Sequence, residues 1–236
     1  MIQQTILILG MHRSGTSWLT GSLQQAGLYL GKHHSWNPHN RKGNRENPDI
    51  MVLHESILAF NHGAWDAPPE CIVWAEQHKA IAKQLITINT AEQRWGFKDP
   101  RTLLMLDGWK SLLDDPVYVG IFRHPLTVAR SLNKRGGMSL LQALELWVIY
   151  NTRLLDQYLL CPFPIICFDW SETHLDKGLA GVCRYLDLDE PAQVDDSSSF
   201  FDADLRHNQA DSAYGLPEIV DSLYQQLTHI SKQWLD

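Results

Sequence analysis

The feature that most constrains the fold is an apolar run that ends at a glycine and leads into a helical pattern. Residues 5–10 read Thr-Ile-Leu-Ile-Leu-Gly, the pattern of a short buried parallel strand. From about residue 15 to residue 26 the apolar side chains recur at helical spacing, with Trp18, Leu19 and Leu23 in register. A glycine-bearing turn from a strand to a helix presents backbone N–H groups at a helix N-terminus. This junction therefore predicts an anion site.

The rest of the chain alternates between strand-like and helical segments. Residues 117–122 form the second firm strand, and Pro125 and the pair Ser139 and Gln142 mark two helix starts. The alternation predicts an α/β fold with a parallel sheet, in one domain over residues 1–236. The other predicted strands are 95–98 and 164–168, and the predicted helices are 49–60, 73–88, 102–113, 125–135, 139–160, 174–186 and 216–234.

The first turn has the composition of a phosphate-binding loop. It reads Gly10-Met-His-Arg-Ser-Gly-Thr-Ser17, which is similar to G-x-x-x-x-G-K-[ST] except that Thr16 stands at the lysine position. Arg13 is the one cation of this loop. The strand 117–122 is followed by Arg123, where many nucleotide hydrolases have an aspartate that helps to hold magnesium. We therefore expect a phosphate cradle without metal machinery.

Two further polar clusters follow predicted strands. Residues 98–101 read Lys-Asp-Pro-Arg and come after the strand 95–98, while Arg123-His-Pro follows the strand 117–122. Ligands of open α/β sheets bind outside the carboxyl ends of the strands, so both clusters should converge on the first turn. Ser131 lies eight residues after Arg123 and could share an anion with it. Taken alone, the Lys98–Arg101 cluster would indicate a surface turn with an internal ion pair.

The charge of the chain is acidic in total but unevenly distributed. With 44% hydrophobic and 20% charged residues, the 236-residue chain has a globular composition, and its net charge of −7 argues against long polyanions such as nucleic acid. Residues 1–48 nevertheless carry five basic side chains and one acid, whereas residues 187–236 carry eleven acids and two bases. The basic excess near the first turn indicates local binding of a small anion. The polar stretch 31–48 has no periodicity, and a loop of that length is usually functional or disordered.

The sequence also carries expectations about location. No apolar run approaches the ~18 residues that span a bilayer, so we expect no stable membrane insertion. A signal peptide has a basic segment and a small-residue cleavage site. The opening MIQQTILILG has neither, so we do not expect it to be one. The four cysteines show no C-x-x-C spacing. These features together predict a cytoplasmic protein with reduced cysteines.

These motifs resemble those of the sulfotransferases that use 3′-phosphoadenosine 5′-phosphosulfate (PAPS). MHRSGTSWL resembles the family's 5′-phosphosulfate loop, and FRHPLTVARSL resembles its 3′-phosphate motif. WGFKDPR resembles the K-D-P segment of the bacterial and tyrosylprotein branches, and RENPDIMVLHESIL resembles the acidic segment that supplies the catalytic base. The resemblance implies a three-layer P-loop-type fold with about four to five parallel strands flanked by helices. It also implies PAPS as co-substrate and no metal.

The resemblance assigns roles to individual residues. The catalytic candidates are Lys98, which would contact the transferring sulfuryl group, Glu46 as the base, and Arg13. His54 and Glu55 are alternative bases. No R-K-G-x-x-G-D-W segment is found, and Arg206 in DADLRH is a weak substitute at the 3′-phosphate. The cofactor-binding candidates are His12, Arg13, Ser14, Gly15, Thr16, Ser17, Trp18, Arg123, Ser131 and Arg206.

The acceptor and two rival functions remain open at this stage. A small molecule, glycan, lipid or peptide could accept the group, and the residue types of Trp36, Trp65 and Asn151 suit acceptor contacts. The rivals are a P-loop small-molecule kinase that uses ATP and a non-catalytic nucleotide-binding protein. A zinc cluster of His33, His34 and His39 is disfavoured because no cysteine or carboxylate lies at ligand spacing.

Overall fold

A computed structural model describes residues 4–34, 44–89, 94–189 and 215–235. Its regular elements alternate between strands and helices, as the sequence predicts. The strands are β1 (Gln4–Leu9), β2 (Arg94–Lys98), β3 (Val117–Phe122) and β4 (Ile165–Cys167). The helices are α1 (Thr16–Gln25), α2 (Pro48–Phe60), α3 (Glu76–Asn89), α4 (Thr102–Lys110), α5 (Pro125–Gly136), α6 (Leu140–Leu160), α7 (Glu172–Tyr185) and α8 (Glu218–Lys232).

The described strands form one parallel sheet in the order β2-β1-β3-β4. β1 lies in the interior, where Ile8 pairs with Lys98 of β2 on one side and with Val119 of β3 on the other. The carboxyl ends of all four strands therefore meet at one edge. The turn after β1 and the residues after β2 and β3 lie at this edge, which is the arrangement that the strand-end clusters predict.

Helices cover both faces of the sheet. Alternate residues of β1 point to opposite faces, so that Ile6 and Ile8 join one apolar core while Leu7 and Leu9 join the other. The first core is completed by residues of α1 and α7, and the second by residues of α2 to α6 and α8. The three-layer α/β fold with a parallel sheet flanked by helices is thus confirmed, with four strands in the described residues.

Local sequence signals explain several helix boundaries. Ser139 and Gln142 form the predicted capping box at the start of α6, and Pro125 is the first residue of α5. The helix predicted over 73–88 begins only at Glu76, because the Asn61 side chain hydrogen-bonds both the N–H and the carbonyl of Val73. Those bonds hold Val73 outside the helix.

No helix in the described part of the chain combines the length and the apolar composition that crossing a bilayer needs.

Candidate active site at the carboxyl edge of the sheet

The turn between β1 and α1 has a backbone that only certain residues allow. Arg13 and Gly15 have φ values of 68° and 87°, and Gly15 directly precedes α1. A Cβ atom on Gly15 would lie 2.4 Å from the ring of Phe168, so the position excludes any side chain. The turn can therefore place its N–H groups and the start of α1 toward the same space.

Two buried polar atoms of this turn lack a partner. Ser14 Oγ and His12 Nε2 are shielded from solvent and accept or donate no hydrogen bond among the described residues. The His12 ring packs against Trp65, with 4.5 Å between ring centroids. Burial, reinforced by the charge of Arg101, lowers the pKa of His12 to about 3, so the imidazole is neutral near pH 7. Buried polar groups without partners are rare in native proteins, and here they fit a missing ligand.

Arg13 connects the turn to α5. Its Nε donates to Ser131 Oγ over 2.8 Å. Burial lowers the pKa of the Arg13 guanidinium, and the positive charges of Arg135 and Arg123 act in the same direction. Several cations therefore crowd this edge of the sheet, as a site for a multiply charged anion requires.

Arg123 lies directly after β3 and contacts a carboxylate that is not among the predicted site residues. Arg123 and Ser131 are expected from the sequence to share a bound anion; in the structure Arg123 Nε lies 3.3 Å from Asp169 Oδ1. The guanidinium also lies over the ring of Phe168, 5.2 Å from its centroid. Asp169 accepts a further hydrogen bond from the His124 N–H. A carboxylate therefore contacts Arg123, which the sequence assigns to a phosphate.

Lys98 and Glu46 form a buried ion pair. Lys98 Nζ donates to Glu46 Oε1 over 2.8 Å, and Asn44 Nδ2 donates to Glu46 Oε2 over the same distance. Lys98 is 1% exposed and Glu46 is 8% exposed. The last residue of β2 and the segment before α2 thus bring a cation and a carboxylate into direct contact.

A second buried network holds Arg101 beside this pair. Arg101 Nη1 donates to both carboxylate oxygens of Asp99, and Arg101 Nε donates to Glu55 Oε1 over 2.7 Å. Burial opposes the charged form of Arg101, but Asp99 and Glu55 together raise its pKa above the usual range. The Lys98–Arg101 cluster does contain the internal ion pair that the sequence suggests, but the pair is buried rather than on the surface.

A cavity of about 200 Å³ lies between the turn after β1 and the Lys98–Glu46 pair, and we call it the anion cavity. Four of its lining side chains are cations and one, Glu46, is a carboxylate. Positive groups around a partly enclosed space together produce a positive electrostatic potential, which attracts an anion. The lining residues are His12, Arg13, Thr16, Ser17, Asn44, Glu46, Met51, Trp65, Lys98, Pro100, Arg101 and Arg135.

The predicted site residues separate into three groups. His12, Arg13, Thr16, Ser17, Glu46 and Lys98 line the anion cavity; Ser14, Gly15, Trp18, Arg123 and Ser131 lie around it without lining it; Arg206 lies outside the described residues. The alternative bases do not line it either. His54 is fully buried and accepts a hydrogen bond from Trp109, while Glu55 pairs with Arg101.

Other sequence expectations have different outcomes. Asn151 is wrong as an acceptor contact, because it is fully buried and donates to the Trp147 carbonyl one turn earlier in α6. Trp65 does line the cavity, whereas Trp36 and His39 lie outside the described residues. Within the described ranges no three His, Cys, Asp or Glu side chains are grouped as metal ligands would be.

Sequence reasoning placed Arg101 at this edge, within the Lys98–Arg101 cluster, but gave it no role of its own, and it missed Arg135 and Asp169. Asp169 follows β4 closely. The rule that ligands bind at the carboxyl ends of the strands, which we call the strand-end rule, would have found it if applied to β4. Arg135 lies in the last turn of α5, where a basic residue is ordinary, and no local signal marks it.

The fold has relatives among solved structures. It is similar to a sulfotransferase domain from the olefin synthase of Synechococcus PCC 7002, with a TM-score of 0.57, 18% identity, and coverage of 95% of this chain and 94% of that chain. It is also similar to a sulfotransferase domain from the curacin biosynthetic pathway, with a TM-score of 0.55, 15% identity, and coverage of 96% and 98%. No protein-family profile and no curated protein sequence matches the chain. At such low identity the similarity shows the fold.

Proposed function

We propose that this protein transfers a sulfuryl group from PAPS to a hydroxyl or amine of an acceptor. The observation that carries the proposal is the Lys98–Glu46 pair, which faces the turn after β1 across the anion cavity. A transfer of this kind needs cations where negative charge develops and a base where the acceptor loses its proton. The fold shared with two sulfotransferase domains supports the same choice.

The turn after β1 suits the phosphosulfate end of PAPS. The close approach of Gly15 to Phe168 leaves no room for a side chain, and Ser14 Oγ and His12 Nε2 have no partner among the described residues. Backbone N–H groups of the turn, with the hydroxyls of Thr16 and Ser17, would donate to the phosphate and sulfate oxygens. Arg13 would supply the positive charge that the P-loop lysine supplies elsewhere.

The other end of the nucleotide would lie near β3. We assign Arg123 and Ser131 to the 3′-phosphate, because both are donors at the carboxyl edge beside Arg13. In this assignment the phosphate competes with Asp169 for Arg123. Arg206 stays a further candidate from the sequence alone.

When bound, PAPS supplies an activated sulfuryl group whose leaving group is the 5′-phosphate. Lys98 would stabilise negative charge on the sulfuryl oxygens and on that phosphate. Glu46 would accept the proton of the acceptor hydroxyl while the hydroxyl oxygen forms a bond to sulfur. The bond between sulfur and the bridging oxygen of the 5′-phosphate would break in the same step. The products are then a sulfate ester and adenosine 3′,5′-bisphosphate, and the proton remains on Glu46 until water removes it.

Glu46 is favoured over the alternative bases on geometry. It lines the anion cavity and touches Lys98, whereas His54 is enclosed by Trp109 and Asp99. Glu55 does not line the cavity and instead accepts a hydrogen bond from Arg101 Nε. A general base must lie within hydrogen-bond reach of the proton that it removes.

The experiment that tests the proposal compares two nucleotides. We expect adenosine 3′,5′-bisphosphate to raise the thermal midpoint in the absence of metal, and ATP with magnesium to give a smaller shift. Incubation with ³⁵S-labelled PAPS and mixed acceptors should give labelled products. A shift with magnesium-ATP and none with the bisphosphate would instead favour the kinase. Bisphosphate binding without transfer to any acceptor class would favour the non-catalytic alternative.

A further inference from the structure

A second cavity, larger than the anion cavity, opens directly beside it. Its volume is about 690 Å³, and it shares two wall residues, Trp65 and Arg135, with the anion cavity. Trp65 is held between the two spaces, because Tyr150 Oη donates to its carbonyl over 2.8 Å and its ring packs against His12. We call this second space the side cavity. Trp65 and Arg135 therefore form a wall common to the two cavities, and Glu46 lines the anion cavity on its other side.

Apolar residues make up seven of the 13 residues that line the side cavity. Gln142, Glu145, Leu146 and Ile149 recur at helical spacing on one face of α6, and the end of α5 forms the opposite side. Ile149 is 38% exposed and lines this cavity, so its side chain is accessible to a ligand there. The apolar lining residues are Trp65, Ala67, Pro68, Leu132, Met138, Leu146 and Ile149.

The charges around the side cavity differ from those of the anion cavity. Asp66 and Glu145 are the acids of its lining, and Arg135 is its cation. The cationic excess of the anion cavity therefore does not extend into this space. Two carboxylates disfavour an anionic ligand by like-charge repulsion, and the apolar lining residues outnumber the charged and amide side chains.

We propose that the side cavity binds the body of the acceptor, and that this acceptor is a neutral alcohol with an aliphatic chain. The inference rests on the proposed sulfuryl transfer and specifies its substrate class. The chain lies against Leu146 and Ile149, while the hydroxyl passes Trp65 and reaches Glu46. Size and apolar contact, rather than hydrogen bonds, then determine acceptor preference.

A series of straight-chain primary alcohols from butanol to dodecanol tests this inference with labelled PAPS. Burial of one methylene is worth about a fourfold gain, so kcat/KM should rise about fourfold per carbon until the cavity is filled. Glucose and the anion 4-hydroxybenzoate, used as matched polar and charged probes, should react at least about tenfold more slowly than decanol.

Substitutions at the wall locate the effect. Ile149→Glu should reduce kcat/KM for decanol by at least about tenfold, since it places a charge against the alkyl chain. Ile149→Trp should shift the optimum toward shorter alcohols, because it fills part of the cavity. Ile219→Glu is the matched control, because Ile219 is also an exposed isoleucine on a helix but lines a different cavity. It should leave the whole series unchanged.

The results separate this inference from the function on which it rests. Bisphosphate binding together with a flat alcohol series, or with preferred transfer to glucose, overturns the aliphatic acceptor and leaves sulfuryl transfer intact. An equal response of Ile149→Glu and Ile219→Glu also overturns the side cavity as the acceptor site. Failure to bind the bisphosphate at all overturns both proposals.

Discussion

Lys98 Nζ donates to Glu46 Oε1 over 2.8 Å and so joins the end of β2 to the segment that enters α2. Both side chains are almost fully buried, so removal of either one would leave the other as a buried charge without its ion partner. In the proposed mechanism the two groups have separate tasks, one at the sulfuryl oxygens and one at the acceptor proton. We expect Lys98 to turn toward the sulfuryl group when PAPS binds, which leaves Glu46 available to the acceptor.

Replacement of Lys98 should separate binding from turnover. Lys98→Ala is expected to lower kcat by at least about 100-fold, because a charge-stabilising group is lost, and to change the Kd for adenosine 3′,5′-bisphosphate by less than about threefold. Lys110→Ala, a lysine on α4 away from the cavity, is the control. Loss of a buried ion partner can cost about 3–5 kcal/mol, so thermal unfolding is measured in parallel and Lys98→Arg is the second variant. Unchanged turnover in both variants would refute the role.

Glu46→Gln should identify the base. The amide oxygen can still accept from Lys98, so the fold should persist while kcat falls by about 10²–10⁴-fold. Glu55→Gln is the rival variant, and its kcat should fall by less than about tenfold. A larger loss in Glu55→Gln than in Glu46→Gln would transfer the role to Glu55.

The fold could be predicted from the sequence because its signals are local. The apolar run of β1, the Pro125 start of α5 and the Ser139 capping box each act over a few residues. The strand-end rule also places the Lys98 and Arg123 clusters at one edge of the sheet.

The contacts within the site could not be predicted in the same way. Arg13 and Ser131 are 118 residues apart and Lys98 and Glu46 are 52 apart, so neither pairing leaves a local pattern. Burial of the Asp99–Arg101 pair likewise depends on how α2 packs over it, which a turn-like sequence does not reveal. Asp169 is an exception, because the strand-end rule applied to β4 predicts its position at this edge.

His12 should make stability depend on pH below neutrality. Its native pKa is lowered to about 3, whereas the unfolded value is near 6.5. Between these values the unfolded state binds the extra proton, so this group lowers the free energy of unfolding as pH falls through that window, by up to about 2 kcal/mol from pH 6.5 to pH 5. Urea unfolding at both pH values should show a smaller decrease for His12→Asn than for the natural protein. An identical decrease would show that His12 is not held neutral.

Arg123→Ala should weaken nucleotide binding. A hydrogen bond to a charged group contributes about 1.5–3 kcal/mol, so the Kd for adenosine 3′,5′-bisphosphate should rise by about 10- to 100-fold in calorimetry. The Kd for adenosine 5′-monophosphate, which lacks the 3′-phosphate, should change much less. Arg184→Ala, an exposed arginine on α7, is the control. Equal affinity of Arg123→Ala and the natural protein for the bisphosphate would overturn the 3′-phosphate assignment.

Asp169→Asn should have the opposite effect on binding. The Asp169 carboxylate contacts Arg123 Nε and the His124 N–H, and in the proposed complex it competes with the 3′-phosphate for these donors. Asparagine removes the negative charge but can still accept from the His124 N–H, so the bisphosphate should bind about three- to tenfold more tightly, and the gain should shrink at high salt. Asp176→Asn, on the exposed side of α7, controls for net charge. Weaker binding in Asp169→Asn would mean that Asp169 orients Arg123 for the phosphate instead of competing with it.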